Sequence, residues 1–131
     1  MKTQLIGIFL SFTFLTANGQ QILDSLWELN DQNFRLRLEM DEKGFPLNTR
    51  LILEREQFTI INDSIFTTRL HIERLDMNSD GYKDLLVYHG SGARANVLYF
   101  LYLFDKKSLT YKKVDGFEEW PNLNKTKKEG V

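Results

Sequence analysis

The chain has 131 residues, 17 basic against 18 acidic, with two histidines and no cysteine. The lack of cysteine excludes thiol chemistry, disulfide staples and lipid attachment at a cysteine. A formal net charge of −1 gives no basis for binding nucleic acid or an anionic membrane surface.

The chain opens with Lys2, then an apolar run, "LIGIFLSFTFL" (5–15), then "TANGQ" with Ala17 and Gly19 at the small positions. A positive start, a short apolar stretch and small residues make a secretory leader, 1–19, cut ahead of Gln20. The apolar run is shorter than the roughly 20 residues that a membrane span needs. Removing Lys2 leaves 16 basic against 18 acidic residues, a net charge of about −2 over 20–131. The expected mature protein is periplasmic or secreted, has no membrane span and, at about 112 residues, is one domain at most.

The mature chain reads as mostly β. "SLWEL" (25–29) fits a short helix or a strand. "FRLRLEM" (34–40) alternates, placing Phe34, Leu36, Leu38 and Met40 on one face. Gly44 and Pro46 mark a turn before "TRLILER" (49–55), and "FTIIND" (58–63) follows. "TTRLHIERL" (67–75) alternates again, with Leu70, Ile72 and Arg74 on one face and His71, Glu73 and Leu75 on the other. "DLLVYH" (84–89) and "NVLYFLYLF" (96–104) are β-branched and aromatic runs of strand length. Alternation puts Tyr99 and Phe100 on opposite faces. "LTYKKV" (109–114) pairs back across "DKKS" as a hairpin. This pattern predicts an antiparallel meander, sandwich or partly open barrel over 20–118, with a polar tail over 119–131.

Between two of these strands stands "DMNSDGYKD" (76–84). Its spacing, D-x-N-x-D-G-x-x-D, matches positions 1, 3, 5, 6 and 9 of a calcium loop. Calcium takes six to eight hard oxygens at roughly 2.3–2.6 Å. A tight turn aims alternate side chains at its own centre, so Asp76, Asn78 and Asp80 would converge there. Gly81 allows the bend, the Tyr82 carbonyl falls at position 7 and Asp84 at position 9. Position 12 is Val87, where a helix–loop–helix site has a bidentate Glu. The expected site is therefore a β-loop-β calcium site with affinity of about 10⁻⁴–10⁻³ M. The plain alternative is a polar turn, since Asp, Asn and Gly are ordinary turn residues.

"LDMNSDGYKDLLV" looks like the aspartate-rich loop of FG-GAP/VCBS propeller repeats. The longer run "LDMNSDGYKDLLVYHGSGARANVLYFLYLFDKKSLTYKKV" (75–114) resembles a family of periplasmic lysozyme-inhibitor-like immunity proteins, which act against peptidoglycan-degrading effectors of type IV secretion systems. The resemblance implies a lysozyme-like peptidoglycan hydrolase as partner and Ca2+ as the bound ion. It also implies a chain shortened at its C-terminus, since family members carry further strands. A Ser-Gly-x-x-Tyr loop makes the contact in such inhibitors. Ser91 and Gly92 match its first half, Arg94 adds a guanidinium, and Ala95 stands near where the Tyr would be. A hydrolase cleft holds two carboxylates, which a guanidinium and a hydroxyl suit. The alternative function is a calcium-stabilised FG-GAP-type adhesion or carbohydrate-binding module, against which the single loop counts. No enzymatic activity is expected: His71 and His89 lie on strands without zinc spacing, and "GSG" (90–92) has no Lys after it to cradle a phosphate.

Overall fold

A computed structural model describes residues 13–17 (backbone only), 20–41, 43, 44, 46–91 and 96–120. The protein is mostly β and wholly antiparallel in its strand pairing. Among the described residues nine strands run in chain order: β1 Thr13–Ala17, β2 Gln20–Leu29, β3 Gln32–Asp41, β4 Thr49–Arg55, β5 Phe58–Ile65, β6 Ile72–Leu75, β7 Asp84–Ser91, β8 Val97–Asp105 and β9 Thr110–Lys113. They make two meanders, β1-β2-β3-β4-β5 and β6-β7-β8-β9, and neither sheet closes into a barrel. The chain divides into two compact units at Phe66, one for each sheet.

In the first unit the alternation of β3 does what its pattern predicts. Phe34, Leu36, Leu38 and Met40 are buried, and Leu51 and Leu53 of β4 lie opposite Leu38 and Leu36. "SLWEL" is strand: it belongs to the ten-residue β2, whose Leu23, Ser25 and Trp27 face inward. Trp27 stacks on its cross-strand partner Phe34 with ring centroids 5.9 Å apart. On the opposite face Arg35 grips Asp24 with both arms, at 2.9 and 2.7 Å. Two-residue turns join β2 to β3 and β4 to β5. Asn30 and Asp31, then Glu56 and Gln57, all have positive φ, the conformation that suits the twist of a tight hairpin. Residues Thr13–Ala17, inside the segment read as a leader, pair with β2.

The second unit is built around β7, which is buried on both faces over most of its length. Leu86 and Leu101 pair across the sheet and pack with Phe117 from a short 3-10 turn, Phe117–Glu119. Met77, Tyr99, Leu103 and Val114 close round them. Alternation puts Ile72, Val87 and Phe100 in one row on the other face. The register of β7 on β8 slips by one residue between Tyr88 and Gly90, a bulge next to the end of the strand. Strand β6 is shorter than its sequence pattern: pairing begins at Ile72, and Thr67 to His71 approach as a loop.

Candidate functional site

The loop 76–84 joins β6 to β7 and folds onto its own carboxylates. Asp76 accepts the backbone N–H of Asp80 at 3.2 Å and of Gly81 at 2.8 Å. Asp80 accepts the N–H of Tyr82 at 3.0 Å. Burial alone would raise the Asp76 carboxyl, but the N–H groups of Gly81, Asp80, Ser79 and Asn78 outweigh it and hold Asp76 below its ordinary value. Two positive-φ residues, Ser79 and Gly81, make the bend. Gly81 sits at φ +90° with open space where a Cβ would be, so backbone conformation, not crowding, requires glycine there.

Asn78 lies between the two exposed aspartates. One end of its amide stands 3.2 Å from Asp76 Oδ1 and 3.1 Å from Asp80 Oδ1. With the NH2 at that end, the amide donates to both carboxylates. That orientation satisfies all three side chains without an ion; to ligate a cation the amide would have to turn and present its oxygen. Asp76, Asn78 and Asp80 thus meet, as the alternate spacing predicts.

Asp84 has a different setting. It is fully buried. Its Oδ2 accepts the N–H of Met77 and its Oδ1 the N–H of Phe104, both at 2.8 Å. The carboxylate therefore clamps the start of the loop to the end of β8. Desolvation pushes its pKa up; the two N–H groups oppose that, and the charges of Asp80 and Asp76 add to it. The side chain of Tyr82 packs on Phe104 with centroids 5.3 Å apart, beneath Lys106. Among the described residues, no three His, Cys, Asp or Glu side chains stand together as a metal-holding group. Of the expected ligands, Asp76, Asn78 and Asp80 come together, whereas Asp84, expected at position 9, is buried with both oxygens taken by the Met77 and Phe104 N–H groups.

At the far end of β7 lies Ser91, whose Oγ is 2.8 Å from the Tyr88 hydroxyl. The other two expected contact residues, Gly92 and Arg94, lie outside the described residues. Around Ser91 the sheet assembles groups that the sequence reading did not single out as a site. Tyr88 pairs with Tyr99 across β8, and its N–H donates to the His71 carbonyl, so the three side chains form one row. The rings of His71 and Tyr99 meet the ring of Tyr88 edge-on, at 6.4 and 6.0 Å. Tyr99 donates to Glu73 Oε2 at 2.8 Å, and His71 Nε2 stands 3.2 Å from the same oxygen. Burial, and then that bond to Glu73, push the Tyr99 phenol well above its ordinary value. Tyr88 moves the other way: the Ser91 hydroxyl, against burial and with help from Thr68 and Arg69, holds its phenol lower. The alternation of "LHIERL" was the available signal, because it already places His71 and Glu73 together. His89 instead sits edge-on to Phe100 at 4.8 Å.

No protein-family model, curated protein or solved structure matches the chain. The class defined here is that of an antiparallel β protein in which one central strand runs from an aspartate-rich loop to a polar, aromatic patch.

Proposed function

We propose that the protein works outside the cytoplasm as a calcium-stabilised inhibitor, an immunity protein that blocks a lysozyme-like peptidoglycan hydrolase by contact. The observation that carries this is the meeting of Asp76, Asn78 and Asp80 at one end of β7, with Ser91 at the other. Asp76, Asn78 and Asp80 would hold the ion with the Tyr82 carbonyl, and water would supply the remaining oxygens that calcium takes. The ion would supply positive charge where two carboxylates crowd, and so fix the loop that starts β7. Eight residues of strand span roughly 25 Å, so the ion itself would stay clear of the Ser91 end, and Ser91, Gly92 and Arg94 are the proposed contact residues. Resemblance of 75–114 to the lysozyme-inhibitor-like family supports the choice of partner, and the 1–19 segment supports export.

The test has two arms. Calcium should raise the melting temperature through a stabilisation of RT ln(1 + [Ca2+]/Kd), about 2.7 kcal/mol at 100-fold excess over Kd, and Asp80→Ala should abolish the gain. Purified lysozymes and lytic transglycosylases acting on isolated peptidoglycan should include at least one that the protein inhibits. Melting that ignores both calcium and chelator would reduce the loop to a turn. Binding to glycan with no inhibition of any hydrolase would favour an FG-GAP-type adhesion or carbohydrate-binding module instead.

A further inference from the structure

Arg69 is an exposed residue whose backbone is firmly held. The wholly buried Thr67 places its hydroxyl 2.8 Å from the Arg69 carbonyl and 2.6 Å from the Tyr88 carbonyl, and so stitches the 67–71 segment to β7. Leu70, next in the chain, is buried. The Arg69 guanidinium then lies over the Tyr88 ring, its Cζ 4.6 Å from the centroid. No carboxylate among the described residues forms an ion pair with it. The nearby acid, Glu73, is already occupied by Tyr99 and His71. Glu73 keeps its own negative charge, but the Arg69 guanidinium makes no ion pair with it and stays exposed. The Tyr88 hydroxyl, at the edge of that ring, is bonded to the Ser91 hydroxyl at 2.8 Å.

Such a site suits a carboxylate. Guanidinium on an aromatic face keeps its outer N–H groups free for bidentate pairing. A side chain already ordered loses less entropy when it binds. A lone surface arginine would wave in solvent; this one is anchored through its backbone and its stacking plane. We infer that Arg69, seated on Tyr88 beside Ser91, is a partner-contact residue that pairs with a carboxylate on the target protein. The inference rests on the inhibitor reading above and adds to it a residue outside the 90–96 loop.

The test compares wild type with Arg69→Ala, Arg69→Lys and Tyr88→Phe against the lysozymes and transglycosylases that wild type inhibits, at several salt concentrations. Arg69→Ala should weaken inhibition about tenfold or more and flatten its salt dependence, with calcium-dependent melting unchanged. Arg69→Lys should recover only part, because it keeps the charge but loses the planar fork. Tyr88→Phe keeps the stacking face and should lose less than Arg69→Ala. Inhibition by a folded Arg69→Ala within about twofold of wild type overturns the assignment while leaving the inhibitor reading intact. If wild type inhibits none of the enzymes, the inhibitor reading falls and the Arg69 assignment falls with it.

Discussion

Asp84 carries two opposed effects in one side chain. Its oxygens satisfy the N–H groups of Met77 and Phe104, yet burial and two neighbouring carboxylates work against its charge. Its pKa stands above the ordinary 3.8. Folding therefore takes up a proton at Asp84 between pH 3.8 and that raised value, and its contribution to stability falls as pH climbs through this window. Asp24 works in reverse. The side-chain bond from Arg35 holds it below 3.8, so its contribution is present above that pH and is lost as pH falls beneath it. Asp84→Asn should remove the first dependence. It should also cost about 2 kcal/mol, because an amide has one acceptor for two N–H donors. Urea unfolding followed from about pH 4 to pH 6 measures both effects, and an unaltered pH slope in the variant would refute the role given to Asp84.

The turns are where local chemistry and element geometry agree least. Asn30 and Asp31 are well suited to the positive φ that the β2–β3 turn demands. Glu56 and Gln57 adopt the same conformation without the side chains that favour it. Glu56 recovers part of the cost, since its Oε2 accepts the N–H of Asn33 at 2.6 Å and its own N–H donates to the Asn33 carbonyl. Neither bond needs the Gln57 side chain. Gln57→Gly should therefore stabilise the protein by about 0.5–1 kcal/mol, relief of the left-handed strain exceeding the added freedom of the unfolded chain. Chemical denaturation reads this directly; a loss of stability would show that Gln57 holds a contact that outweighs the strain. At the other sheet, β9 carries Lys112 and Lys113. Charged lysines on an edge strand discourage pairing with another chain.

The molecule is two meanders in sequence, and the aspartate-rich loop belongs wholly to the second. An ion there would act first on the elements that the loop joins. Calcium should slow amide hydrogen exchange in β6, β7 and the N–H groups of Met77 and Phe104 more than in β3 and β4. Exchange reports local opening as well as global unfolding, so the two units are read separately. An equal gain in β3 and β4 would show that the ion stabilises the chain as a whole, and no gain in either unit would remove the ion.

The β class, most strand positions and the inward set Phe34, Leu36, Leu38 and Met40 were readable in the sequence, because strand alternation is a local property of two-residue period. The convergence of Asp76, Asn78 and Asp80 was readable for a like reason: a turn of a few residues fixes where its own side chains point. "SLWEL" could not be read as strand because Ser25 takes an inward place opposite Leu36, with no hydrogen-bond partner for its hydroxyl among the described residues, and breaks the apolar pattern. Only the tertiary structure decided that Asp84 bonds to Phe104, twenty residues on. Only it set Arg69 over Tyr88 and lined up His71, from the loop before β6, with Tyr88 of β7 and Tyr99 of β8. These pairings depend on which residue of one strand faces which of the next. That register is set by the burial of the whole sheet, including a one-residue slip after Tyr88 that no short stretch of sequence encodes.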